Sequence, residues 1–248
     1  MHRCVSSRVI FAGLVALSLV VGSAPARASF DVAPLADLTS TVDHPLVPLS
    51  AMPIKVFAGK ERDVETGETI AVRVEERVLS GTAQVAGVAV TVVHVDDYHN
   101  GQLVKITADY FSQGPEGSVY YLGERVDEYD GGTIVGHEGA WLTGQHVDEP
   151  GVFLPATVRV GDTFYQERVP GVAEERFTVM AVGQTQTTPA GTFDGCVRTE
   201  ETNLTDIAGL LGGPTEQKVY CPGVGLVRED FPGGYLELLA FTAPAASR

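Results

Sequence analysis

From residue 70 onward the chain alternates. In IAVRVEERVL (70–79), Ile70, Val72 and Val74 fall on one side and Ala71, Arg73 and Glu75 on the other. That two-residue period belongs to a half-buried strand. VAGVAVTVVHV (85–95) is rich in β-branched residues and poor in polar ones, as a more fully buried strand would be. LVKITADYF (103–111), VYYLGERVDEYD (119–130) and TIVGHEGAWL (133–142) follow. Between them lie Asn100-Gly101, SQGPEGS and Gly131-Gly132. Asn-Gly is a strong hairpin signal because both residues tolerate the positive φ of a tight turn. FYQERV (164–169) and ERFTVMAVGQTQT (175–187) resume the strands. PAGTFDG turns the chain, and CVRTEET, EQKVYC, GLVRED and YLELLAF complete the series.

The pattern predicts an all-β fold of about ten strands in an antiparallel meander, forming a strongly curved sheet or a partly open β-barrel. No amphipathic helices separate the strands, as parallel βαβ units would require, and at most one short helix fits, around LTDIAGLL (204–211). TGQHVDEPGVFLPATVRVGD (143–162) carries Pro and Gly too often for a central strand and is expected to be a long connection. Residues 29–50 hold Pro34, Pro45 and Pro48 with no helical period, an extended N-terminal arm. A single β domain over 51–243 and a flexible tail over 244–248 follow.

The first 28 residues are of another kind. MHRCVSSR is basic, VIFAGLVALSLVVG is uncharged, and SAPARA places Ala26 and Ala28 at the small positions of a cleavage site. This is the pattern of a secretory signal peptide, removed after Ala28. The apolar run is shorter than the roughly 20 residues of a membrane span, and no second such run follows. Residues 1–28 hold three arginines and no acid, so their removal deepens the formal net charge from −15 to about −18. Such acidity opposes binding to nucleic acid or to anionic membrane surfaces. The expected location is bacterial and exported, periplasmic or extracellular.

Cys4 leaves with the leader, so Cys196 and Cys221 remain. Their strands flank the connection 203–214. Folding an antiparallel pair about the midpoint of that connection sets Cys196 opposite Cys221. An oxidising compartment permits a disulfide there. A redox dithiol would use C-x-x-C spacing, and a catalytic thiol would need a basic neighbour that the sequence does not provide.

Other groupings carry weaker signals. HVDDYH offers His94, Asp96, Asp97 and His99; His94 and Asp96 share a strand face, but the plainer reading is a polar strand end entering a turn. GHEGAWLTGQHVDE collects His137, Glu138, His146, Asp148 and Glu149 around Trp141, the only tryptophan. Its spacing is not H-E-x-x-H, and Trp141 is expected as a core anchor. The pairs Glu75–Glu76, Glu174–Glu175 and Glu200–Glu201 point to opposite faces of their strands and form no facing dyad by themselves; they are expected to be mostly solvated. No G-x-S-x-G and no phosphate loop occurs. No cofactor or metal is implied.

TPAGTFDGCVRTEE (188–201) and VYCPGVGLVRED (219–230), with YYLGERVDEYDGG, GAWLTG and EPGVFLPATVRVGDTFYQE upstream, resemble a broad set of bacterial exported proteins of unknown function. Those carry a V-P-A-G-T-F-D turn and then Y-A-P-G-V-G-L-V before a closing strand. The resemblance covers most of residues 50–240, and Cys221 stands where alanine is usual. It implies a curved antiparallel sheet, distantly similar to the open barrels that carry lipids between bacterial membranes, and no catalytic residue.

The expected function is a non-enzymatic exported β protein whose concave face binds a hydrophobic small molecule or lipid, or another envelope protein. Val90, Val92, Ile106, Tyr110, Tyr120, Trp141, Phe153 and Phe164 are the candidate lining. The alternatives are an interaction module whose aromatics fill the sheet with no pocket, and a hydrolase or lyase built on His137, Glu138 and His146.

Overall fold

The computed structural model describes residues 30–242 apart from 31, 53, 64–65 and 206–214. The leader over 1–28, the tail over 244–248 and all but Leu204 and Thr205 of the expected helix lie outside the described residues. Among the described residues the chain is all-β, with one 3-10 turn at Leu35–Asp37. The first meander comprises β1 (Ile54–Arg62), β2 (Thr69–Val78), β3 (Ala83–Val85), β4 (Val88–His99), β5 (Gln102–Gln113), β6 (Val119–Asp130) and β7 (Thr133–Gly136). After short strands β8 (Trp141–Leu142) and β9 (Gly151–Leu154), the second runs through β10 (Thr163–Val169), β11 (Ala173–Thr188), β12 (Gly191–Asn203), β13 (Glu216–Cys221), β14 (Gly225–Phe231) and β15 (Gly234–Thr242).

Fifteen strands exceed the ten expected, for local reasons. The run read as one strand over 85–95 is broken by a two-residue turn in which Ala86 and Gly87 have φ of 51° and 79°. Nothing in Ala-Gly advertises that conformation as Asn100-Gly101 does, where the β4–β5 turn falls as expected with φ of 49° and 79°. The stretch 133–142 splits into β7 and β8. The connection 143–162 contains β9, which pairs with β6. Nor does the PAGTFDG turn reach Gly195: β12 already begins at Gly191, so only Pro189 and Ala190 make the reversal. β1 shows no clear alternation in the sequence, because Lys55 and Gly59 fall on its apolar side and a bulge interrupts it at Val56/Phe57.

The two meanders join where β1 pairs with β15. The sheet then runs β10-β11-β12-β13-β14-β15-β1-β2-β4-β5-β6-β7. It curls until β9, hanging on β6, meets β10. No ladder joins those two strands among the described residues, so the sheet is strongly curved but open. Gln166 crosses the seam, its side-chain amide donating to the Phe153 carbonyl at 2.8 Å. The backbones are so close there that a Cβ on Gly151 would lie 1.7 Å from the Gln166 carbonyl oxygen. Only glycine fits.

The N-terminal arm crosses the mouth of the hollow. Leu38, Val42, Leu46, Val47 and Met52 are buried. Thr39 exchanges backbone hydrogen bonds with Gln113 at the end of β5, and the Gly223 N–H donates to Pro45 O at 2.8 Å on the far side. Gly223 and Gly225 of that β13–β14 corner have φ of 77° and 88°, as the tight reversal demands.

β12 and β13 pair in the register the sequence implied, Val197 with Tyr220 and Arg198 with Val219. Cys196 and Cys221 continue that register and form a disulfide, their Cα atoms 4.1 Å apart and both side chains fully buried. The bond spans a connection of 25 residues, which on a chain-entropy model stabilises the fold by about 3 kcal/mol. Cys196→Ala/Cys221→Ala is therefore expected to lower the melting temperature by roughly 10 °C. A thermal scan that shows no change would remove the staple from this account.

Candidate functional site

Cross-strand partners share a face, so the ladders identify the inner surface. β2 contributes Val74 and Glu76; β4 pairs Val95 and Asp97 with them; β5 adds Lys105, Thr107 and Asp109. Asp109 is opposite Glu124 of β6, and past a bulge Phe111 is opposite Tyr121. From the other meander come Glu167 opposite Glu175, and Lys218 opposite Glu229. These side chains enclose a cavity of about 440 Å³, closed at one end by Leu46, Val47, Leu49 and Met52 of the arm. A second, larger hollow of about 780 Å³ lies by β10 and includes Phe30, Phe164, Tyr165 and Arg168.

The cavity is not the apolar face expected. Of the eight candidate lining residues, Phe153 borders it and Phe164 borders the second hollow. Val90, Val92, Tyr110 and Tyr120 are buried in the hydrophobic core, and Ile106 is half-buried beside Asp96. The reason is parity. In β4 and β5 the odd-numbered residues face the hollow, whereas four of the chosen residues on those strands are even-numbered. Trp141 is fully buried behind the cavity wall, where its indole N–H donates to Glu167 Oε1 at 2.7 Å.

Each of the three acidic pairs sends one member inward, and their expected solvation fails for that reason. Glu76 and Glu175 line the cavity, and Glu201 is buried beside it. Lysines answer some of them. Lys55 Nζ lies 2.6 Å from Glu76, and Lys218 Nζ lies 2.5 Å from Glu201 and 3.7 Å from Glu229. Among the described residues Glu201 Oε2 has no partner apart from that ammonium. Lys105 Nζ is 3.6 Å from Asp97. Burial pulls the Lys218 ammonium down, but Glu201 and Glu229 outweigh it and hold the group well above the usual lysine range.

Asp109, Glu124, Glu167 and Glu175 have no lysine or arginine nitrogen within ion-pair distance among the described residues. Burial pushes the Asp109 carboxyl up to about 7, against the hydrogen bond from the Tyr121 hydroxyl at 2.9 Å. Burial, then the charges of Asp109 and Glu167, raise Glu124 to about 8. Burial, then Glu201 and Glu167, raise Glu175 to about 9. Glu167 also rises by burial despite the Trp141 hydrogen bond.

The histidines lie elsewhere. His137, Glu138 and His146 are exposed, and none borders either hollow. His137 Nδ1 is held by the Val126 carbonyl at 2.7 Å and Asp127 at 2.9 Å. His94 Nε2 sits 2.8 Å from Asp96, which also pairs with Arg77, on the face opposite Asp97. His99 faces Glu61 at 3.5 Å.

No protein-family model matches the chain, and no curated protein matches it. Two solved structures are similar. One is a candidate exported protein with a YmcC-like fold from Bacteroides fragilis, 14% identical, covering 77% of this chain and 99% of that one at a TM-score of 0.44. The other is a candidate lipoprotein from Parabacteroides distasonis, 13% identical, covering 79% and 98% at a TM-score of 0.37. Among the described residues no helix is long and apolar enough to cross a membrane.

The raised carboxyl groups give stability a definite pH dependence. Between their unfolded values near 4 and folded values of about 7 to 9, the folded protein binds more protons than the unfolded chain. Stability then falls as pH rises through that window. Urea denaturation is expected to give a lower midpoint at pH 8.5 than at pH 5.5, and Glu175→Gln to flatten the decline. A midpoint that climbs with pH would contradict these assignments.

Proposed function

We propose that this is an exported, non-enzymatic binding protein that holds a small ligand in the cavity on the concave side of its sheet. The leader pattern of residues 1–28 supports export. The observation that carries the binding reading is the cavity itself: an open hollow of about 440 Å³ inside a curled sheet. Filling it with apolar side chains would give a more stable barrel, because unpaired buried charge is costly. Instead the wall keeps four carboxyl groups with no basic partner. Its apolar part is supplied by the arm and by Phe111, Phe153 and Leu226, so a ligand with both apolar and polar portions is accommodated.

Native mass spectrometry of protein purified from its host's envelope tests this. A retained small-molecule adduct is expected, and Val95→Trp, which places an indole inside the cavity, is expected to abolish it while the disulfide and far-UV spectrum persist. A bare mass for the unaltered protein, or an adduct indifferent to Val95→Trp, would turn the reading toward a structural module.

A further inference from the structure

We propose that the ligand is an organic ammonium ion, its charge held by Asp109, Glu124, Glu167 and Glu175 and its alkyl groups set against the rings of Phe111, Tyr121, Phe153 and Tyr220. This rests on the cavity being a ligand site, as argued above. The protein's own cations are already committed. Lys55 answers Glu76, Lys105 answers Asp97, and Lys218 answers Glu201 and Glu229. Four lining carboxyl groups are left over.

The aromatic rings show the same imbalance independently. Lys55 and Lys218 lie over Phe57 and Phe177, 5.1 and 5.2 Å from the ring centroids. No described cation lies over the four rings that border the cavity, although they form one continuous cluster. Phe111 stacks on Tyr121 at 5.0 Å and meets Phe153 edge-on at 4.9 Å, and Phe153 meets Tyr220 at 6.3 Å. Faces of aromatic rings beside carboxylates are the chemistry that recognises alkylated ammonium groups.

The placement of the acids is also expensive. Asp109 lies directly across from Glu124 on one side of the seam, and Glu167 from Glu175 on the other. Like charges opposite one another destabilise a sheet, and here two such pairs face a common hollow. A metal ion fits less well: among the described residues no three His, Cys, Asp or Glu side chains converge closely enough to ligate one. A bulky ammonium needs no such convergence, since it is attracted at longer range and makes its contacts through carbon.

Isothermal titration calorimetry on the purified, oxidised protein decides the matter. The probes are choline and its uncharged carbon isostere 3,3-dimethylbutan-1-ol, with octyltrimethylammonium and 1-octanol as a longer pair. At pH 8.5 each cation is expected to bind about tenfold or more tightly than its neutral counterpart. Asp109→Asn/Glu124→Gln is expected to erase most of that preference, and, separately, Glu175→Gln a smaller part, because that carboxyl is still largely protonated at pH 8.5. Removing like charges relieves repulsion, so both variants are expected to fold, and a thermal melt checks this. Quaternary ammonium ions do not titrate. Their binding is therefore expected to weaken from pH 8.5 to 6 as protons return to the carboxyl groups, which lie among Glu76, Lys105, Glu201 and Lys218. Choline binding as well as the octyl cation would indicate a free small molecule, and a large gain from the chain would indicate an amphiphile's headgroup; either supports the proposal. Equal binding of charged and neutral partners would overturn it while leaving the cavity a ligand site. Failure of all four probes would overturn the ammonium proposal, and a bare mass in the envelope-purified protein would overturn the cavity reading as well.

Discussion

A curled sheet that keeps carboxylates on its inner face holds together only if enough positive charge is held with them. Lys218 is the centre of that constraint. It reaches inward from β13 between Glu201 of β12 and Glu229 of β14, tying three adjacent strands by charge as well as by their ladders. Lys55 does the same for β1 and β2 through Glu76. Each ammonium also lies over an aromatic ring, so its alkyl stem and its charge are both used. Where no lysine nitrogen reaches, at Asp109, Glu124, Glu167 and Glu175, burial raises the carboxyl groups so that protons take the place of the missing cations.

Much of the fold could be read from the chain, because turns and register have local causes. Asn100-Gly101 and Gly131-Gly132 form the turns they announce, all four residues at positive φ. The equal arms either side of 203–214 placed Cys196 opposite Cys221. The face of each strand was another matter. Alternation says that two faces differ but not which one lies inside. In LVKITADYF, Lys105, Thr107 and Asp109 look like a solvated face, yet they border the interior hollow. The valines of β4 occupy both parities, so 85–95 offered no basis for choosing Val93 and Val95 over Val90 and Val92. The signal the sequence does carry is a carboxylate on each of several successive strands, Glu76, Asp97, Asp109 and Glu124 among them.

The arm and the disulfide act on the same corner. Gly223, which takes up the Pro45 carbonyl, sits two residues beyond Cys221, so the covalent bond fixes the corner against which the arm is laid. The arm in turn supplies the apolar end of the cavity. Proline at 45 and 48 suits a segment that crosses strands without joining their ladders, since each lacks an N–H to satisfy. The mouth of the hollow is thus built from parts distant in sequence, two of them held by chain stiffness and one by sulfur.

The joining of β1 to β15 sets an order of events. The first long strand cannot find its partner until the last has been delivered, nearly the whole length of the domain later. Until then one edge of β1 and one edge of the second meander stay unpaired, and the hollow has no continuous wall. Loop closure over such a distance is slow relative to hairpin formation. A chain wired in this way remains unfinished until its last strand is in place, however early its hairpins form.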